Sequence, residues 1–353
     1  MNQETGYYLN EEPRIPEELG PWYNHEFINY YVAQAQDWLM DLPKVDIQAN
    51  PDFGDWPVGP EHVDQYLTSF SPNEDFDETN TQQSAFKYSI YAQEPFDGKV
   101  EPWKIFVLYS IEPDWELDCG VNLHWMQKLT GGSHALRHMR FKLFGLPIGD
   151  AKKSLYYYID AAKRAEARGN LYWKWRFATR ASHYAADLGH PFHVNLAPFK
   201  DMFKLFTGFK EFLKFLSATH TGHEAYVLER FRENFEPFKI ALQEGARSAS
   251  SYAFNFDDAL DPYRKKCSRM MSPIHELLID NFGDDLMNAY DVVNDPQYAN
   301  LDLSKRTSIA RTGVVALLFK DPESEALKEL DKLTAELLFN VGRMLVLLLQ
   351  KVR

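Results

Sequence analysis

Two consecutive stretches between residues 154 and 189, SLYYYIDAAKRAEARG and NLYWKWRFATRASHYAADLG, repeat their apolar residues at helical spacing and meet at a glycine signal. No alternating strand–helix pattern surrounds them, which argues against a parallel sheet as the organising layer. Further helical patterns follow in HEAYVLERFRENFEPFKIALQEGARSAS, SPIHELLIDNFGDDLMNAYDVV, SKRTSIARTGVVALLFK and SEALKELDKLTAELLFNVGRMLVLLLQKV. No period of about 20–50 residues recurs, so a repeat array is excluded. The expected fold class is all-α, a helical bundle with one long irregular insertion.

The first third of the chain is less uniform. HEFINYYVAQAQDWLMDL (25–42) has helical spacing and predicts one helix. Residues 43 to 101 are rich in Pro, Asp, Asn and Gly and predict long surface loops, with a short helix over 61–68. EPWKIFVLYSIE is apolar enough to be buried, and its β-branched residues leave strand and helix both open. The expected organisation is a polar leader over 1–21 and a single domain over 22–353, with 43–100 as its loop-rich insertion.

Charge and targeting signals narrow the partners. A formal net charge of −13 argues against tight nucleic-acid binding, which requires cationic surface. The polar, acidic N-terminus lacks the basic start and apolar run of an export signal. The apolar run Leu345–Leu349 is too short to span a bilayer, and Arg343 sits just before it. A soluble, cytoplasmic protein is expected, with export by another route left open. Cys119 and Cys267 are expected as free buried thiols rather than a bridge.

The chemistry concentrates in HYAADLGHPFH (183–193), three histidines and an aspartate within eleven positions. On a helix His183 and Asp187 are four apart and share a face. Pro191 should end that helix, because its ring disfavours helical geometry in the residue before it. His193 then projects from the turn beyond. His220 and Glu224 repeat the i, i+4 spacing in HTGHEAYVLERF. Imidazole and carboxylate on rigid elements suit zinc or a similar divalent ion. Either pair alone is more often a surface ion pair than a ligand set; two pairs with His193 between them favour metal. His190, at +7 from His183, could face the site, but a place behind the ligands or at the surface is the expectation, and His223 is expected to point elsewhere on its helix. His62, His124 and His275 read as structural, and Tyr156–Tyr158 with the tryptophans of YWKWRF as core.

HYAADLGHPFH resembles the HYLGDxxxPxH signature of the zinc-dependent phospholipase C and S1/P1 nuclease family. Histidine, aspartate at +4, proline at +8 and histidine at +10 agree in spacing. The family's later His-x3-Glu pair is matched by His220 and Glu224, its early histidine by His25 in WYNHEFI, and its aspartate after a buried helix by Asp114 in IEPDW. GGSHALRHMRF offers both His134 and His138 for one more histidine; the aromatic at +3 favours His138. The resemblance covers roughly residues 20 to 350 and implies a phospholipase C/P1 nuclease-like bundle holding two or three zinc ions. One ion is implied on Asp114, His138, His183 and Asp187, a second on His193, His220 and Glu224, and a third on Asp187 and His25. The family completes that third site with an N-terminal tryptophan, whereas Trp22 here is preceded by 21 residues.

Such a site implies hydrolysis of a phosphodiester by an activated water, with Asp114 orienting that water or taking its proton. The expected substrate is a phospholipid, with a single-strand nuclease or phosphatase using the same metals as the enzymatic alternative. A non-catalytic, zinc-stabilised binding protein is the alternative from another class. NLAPFKDMFKLFTGFKEFLKFLSAT (195–219) interleaves phenylalanines, among them Phe203 and Phe206, with lysines. It can be read as a packed helix with solvated lysines, or as an apolar face meeting substrate and, transiently, a membrane surface. Arg137 is the candidate phosphate contact, an acidic partner being its other reading.

Overall fold

A computed structural model describes residues 24–46, 99–110, 113, 138–143, 146–195, 198, 208–294, 297 and 321–353. Helix takes up 77% of them, so the core forms between helices rather than under a sheet. The order is α1 (Asn24–Gln34), α2 (Asp37–Met40), β1 (Val45–Asp46), β2 (Lys99–Val100), α3 (Pro102–Leu108), β3 (Phe141–Leu143) and β4 (Leu146–Ile148). Then come α4 (Ala151–Ala167), α5 (Leu171–Asp187), α6 (Pro191–Val194), α7 (Phe209–Arg232), α8 (Glu236–Ser248), α9 (Phe256–Asn294) and α10 (Glu325–Val352). β1 pairs antiparallel with β2, and β3 with β4.

The helix expected over 25–42 is two helices. Gln36 leaves helical geometry at φ −130°, ψ 85°, and its amide donates to the Ala246 carbonyl on α8 at 3.2 Å. That contact is made across the fold, and neither Gly nor Pro marks the break. EPWKIFVLYSIE resolves as helix α3. Glu101 is extended and Pro102 occupies the first turn, where its missing N–H costs nothing. Of the insertion, the two ends are described: Val45 pairs with Val100, so the excursion leaves and returns at one point. The leader and the helix expected over 61–68 lie outside the described residues.

The α4–α5 hairpin is as expected. Gly169 takes φ 75° after the α4 C-cap, where a side chain would be strained. Asn170 caps α5, its side-chain oxygen accepting from Trp173 N at 3.0 Å. From Tyr172 to Asp187 every α5 residue is buried, which makes this the central helix, packed by α4, α3 and α10. Asn29 on α1 ties it to its neighbours, donating to the Phe106 carbonyl on α3 at 2.6 Å and Ser182 Oγ at 2.9 Å. α9 carries Pro262 and Pro273 and breaks at Gly283, whose φ of 54° is outside the helical range. α10 is long and apolar enough to cross a membrane by length and composition, which the five-residue run did not suggest. Its apolar residues are largely buried here, against α8, α9 and α5. Cys267 is a buried free thiol; Cys119 lies outside the described residues.

Candidate metal centre

Four segments bring imidazoles and carboxylates together: the start of α1, the residues before β3, the α5–α6 junction and the middle of α7. α5 ends at Asp187, before Pro191, and the chain turns through Leu188 and Gly189. His190 is extended at φ −89°, ψ 125°, as a residue preceding proline should be. Pro191 then starts α6, so His193 sits on a short helix rather than a plain turn. The Arg140 N–H donates to the His193 carbonyl at 2.7 Å and holds the His138 segment against α6.

Asp187 is the hinge of the cluster. Its Oδ2 lies 2.9 Å from His138 Nδ1 and 3.2 Å from His183 Nε2. Its Oδ1 lies 3.1 Å from His193 Nδ1 and 3.5 Å from His25 Nε2. His138 Nδ1 and His183 Nε2 are themselves 2.9 Å apart, and the His25 ring stacks on His183 at 3.8 Å. The other nitrogen of His183 donates to the Ser110 carbonyl at 2.8 Å. That bond fixes the tautomer and leaves a lone pair on Nε2, as a metal-ligating histidine requires.

A second group gathers His190, His193, His220 and Glu224, whose ligand atoms all lie within 4.8 Å of one another. His193 Nε2 is 2.7 Å from His220 Nε2 and 3.3 Å from Glu224 Oε1. His220 Nε2 is 3.0 Å from the same oxygen. Two ring nitrogens facing each other compete for one proton, whereas a tetrahedral zinc with ligands at ~2.0–2.1 Å would place neighbouring donors ~3.3 Å apart. The donors are already near that spacing. Glu224 Oε2 is buried without a hydrogen-bond partner, and His193 Nδ1, though close to Asp187, is off the line of a hydrogen bond. These buried groups suit a divalent cation, and the mixed N/O donor set suits zinc.

Electrostatics follow the packing. Burial alone would raise the Asp187 carboxyl, but His183, His193 and His138 outweigh it and hold the group well below the usual carboxylate range. Burial would likewise raise Glu224, and His220 and His193 reverse it. Burial would lower His193, and the Asp187 and Glu224 carboxylates instead lift it to about 10. Those two carboxylates therefore favour the protonated form of His193.

A cavity of about 60 Å³ reaches both groups. His25, Asp187, His190, His193 and Glu224 form its polar side, and Ile28, Val227, Leu337, Leu338 and Val341 its apolar walls. α9 fixes the junction from behind. Tyr263 Oη donates to the Ala185 carbonyl at 3.0 Å and Cys267 Sγ to the Gly189 carbonyl at 2.9 Å. The Ala185 carbonyl belongs to the last turn of α5, where carbonyls need partners from outside the helix, and the Gly189 carbonyl lies in the turn that follows. Tyr263→Phe is expected to lower stability by about 1 kcal/mol, the usual worth of one such bond. A denaturant titration beside wild type measures it.

Of the expected site residues, His25, His138, His183, Asp187, His193, His220 and Glu224 come together in this cluster. Asp114, His134, Arg137, Phe203 and Phe206 lie outside the described residues. Two expectations are corrected. His190 is not set back from the other candidate residues: it offers a ligand atom within 4.8 Å of those of His193, His220 and Glu224. His223 does not point away from the site: it is buried, 2.9 Å from His190 Nε2, and lines the cavity. The +7 position of His190 was a usable signal, although the turn brings it in rather than a helix face. His275 packs between Phe192 and Phe215, a structural position. No protein-family model matches this chain, and no curated protein or solved structure matches it either.

Proposed function

We propose that this chain is a zinc-dependent hydrolase of phosphoric esters, with the bundle fold of the phospholipase C and S1/P1 nuclease type. The observation that carries the reading is Asp187, which turns one carboxylate oxygen to His138 and His183 and the other to His193 and His25. A carboxylate shared in this way suits two cations held close together, as in-line displacement at phosphorus uses them. His138, His183, Asp187 and His25 would hold one ion, and His193, His220 and Glu224 another. Zinc there supplies a water that ionises near neutral pH and positive charge against the phosphate oxygens.

The reaction is addition of water at phosphorus with departure of the ester oxygen, giving a phosphomonoester and an alcohol. Asp114 is assigned to accept the proton of the attacking water. Ser110 keeps His183 in one tautomer throughout. The apolar walls of the cavity favour a substrate with an apolar portion, hence a phospholipid over a single-stranded nucleic acid, and the net charge of −13 points the same way. The test is turnover by the zinc-loaded chain of bis(p-nitrophenyl) phosphate, a short-chain phosphatidylcholine and a single-stranded oligonucleotide. Cleavage of the first two is expected. No turnover of any, by protein that holds its zinc, would leave a zinc-stabilised binding protein instead.

Proton competition gives a second check. Because His193 lies at about 10 without metal, zinc binding at that group releases one proton below that pH. Apparent affinity should therefore tighten by roughly tenfold per pH unit between about pH 7 and 9, and weaken as pH falls. Competition with a zinc indicator across that range measures the slope; a flat profile would mean that His193 is either no ligand or already neutral there.

A further inference from the structure

We infer that His190 is a fourth protein ligand in the group of His193, His220 and Glu224, so that this position is closed by the chain itself. The inference rests on the metal reading above and deepens it. An ion with three imidazoles and a carboxylate around it joins the α5–α6 junction to α7, and the water and substrate fall to the Asp187 side.

His190 is placed for this by three observations. Its ring lies 4.6 Å from that of His193 and 5.3 Å from that of His220, with a ligand atom inside the same 4.8 Å group. Its Nδ1 is buried and has no hydrogen-bond partner. Its Nε2 is engaged, 2.9 Å from His223 Nδ1, and His223 Nε2 in turn lies 3.3 Å from Thr334 Oγ1 on α10.

The direction of that relay decides the lone pair. With His190 Nε2–H donating to His223 and His223 Nε2–H donating to Thr334, His190 Nδ1 is unprotonated and available to a cation. The reverse direction would strand a buried N–H at Nδ1 with no acceptor, which is unfavourable. An outer partner that fixes the second nitrogen is the usual support of a ligating histidine. The backbone is equally fixed, between Pro191 and the Cys267 contact to Gly189.

The experiment is zinc retained per chain during dialysis against stepped chelator concentrations, for wild type, His190→Gln and Thr334→Val, with cobalt-substituted spectra alongside. Wild type should release zinc in two steps, the later one belonging to a four-coordinate ion with intense visible cobalt bands. In His190→Gln that later step should move by more than the roughly 10–100-fold that loss of an outer partner costs. Thr334→Val, which keeps side-chain shape, should move it the same way by less, and it serves if His190→Gln does not fold. Later steps at wild-type positions in both variants would overturn the inference while leaving the hydrolase reading intact. Two-step release without any phosphodiesterase activity would sink the hydrolase reading and leave His190 a ligand. Wild type that binds no zinc would end both.

Discussion

Asp187→Asn is expected to cost the protein one metal ion, loosen the other and take phosphodiester hydrolysis to background. The substitution keeps shape but removes the negative charge on which His138, His183, His193 and His25 converge. An ion on the His138–His183 side would lose its carboxylate. An ion on His193, His220 and Glu224 would keep those ligands but lose the carboxylate behind His193, which weakens such sites roughly 10–100-fold. Without metal the same change removes the largest of the influences that hold the proton on His193, the Asp187 carboxylate. Asp187 is 2% exposed, and removing one partner of a buried ion pair is on the order of 3–5 kcal/mol destabilising. Zinc analysis and denaturant titration on the one variant read both effects. Two ions held as tightly as in wild type would contradict the shared-carboxylate arrangement.

Gly245→Val and Gly342→Val should each destabilise the bundle by about 3 kcal/mol or more. α8 and α10 approach through these two glycines. A Cβ at Gly245 would stand 1.9 Å from the Phe339 carbonyl oxygen, and one at Gly342 would stand 2.2 Å from the Leu242 carbonyl oxygen. Backbone cannot rotate aside as a side chain can, so the helices must separate along their buried length. α10 also supplies one wall of the cavity and Thr334 behind His223. Loss of zinc affinity should therefore accompany the fall in stability. Unfolding midpoints within error of wild type would mean that the helices are not in contact there.

The parts of this arrangement that could be read from sequence are those set by local rules. The α4–α5 boundary was legible because Gly169 must take a positive φ and Asn170 is a capping residue. The pairs His183/Asp187 and His220/Glu224 were legible because four residues is one helical turn. The break at Gln36 was not, because a contact to Ala246, 210 positions away, sets it rather than a turn residue. The choice between strand and helix for α3 was in principle readable from Glu101–Pro102, since proline suits a first helical turn; the β-branched residues after it obscured that. Adjacent positions on a helix point apart, which is why His223 reads as leaving the site beside Glu224; both nonetheless line the cavity. What sequence could not show is that His190 and Thr334, 33 and 111 positions distant, occupy the other side. Helical arithmetic also fails for His190, because α5 stops at Asp187 and a turn carries the chain from there.

The shared carboxylate is tested most directly by anomalous diffraction at the zinc edge, on crystals of the full chain grown with zinc. The expected map has one peak between Asp187, His138 and His183 and a second between His193, His220 and Glu224, on opposite sides of the Asp187 carboxylate. A map with no peak in the cluster, or with a single peak that Asp187 does not touch, would contradict it.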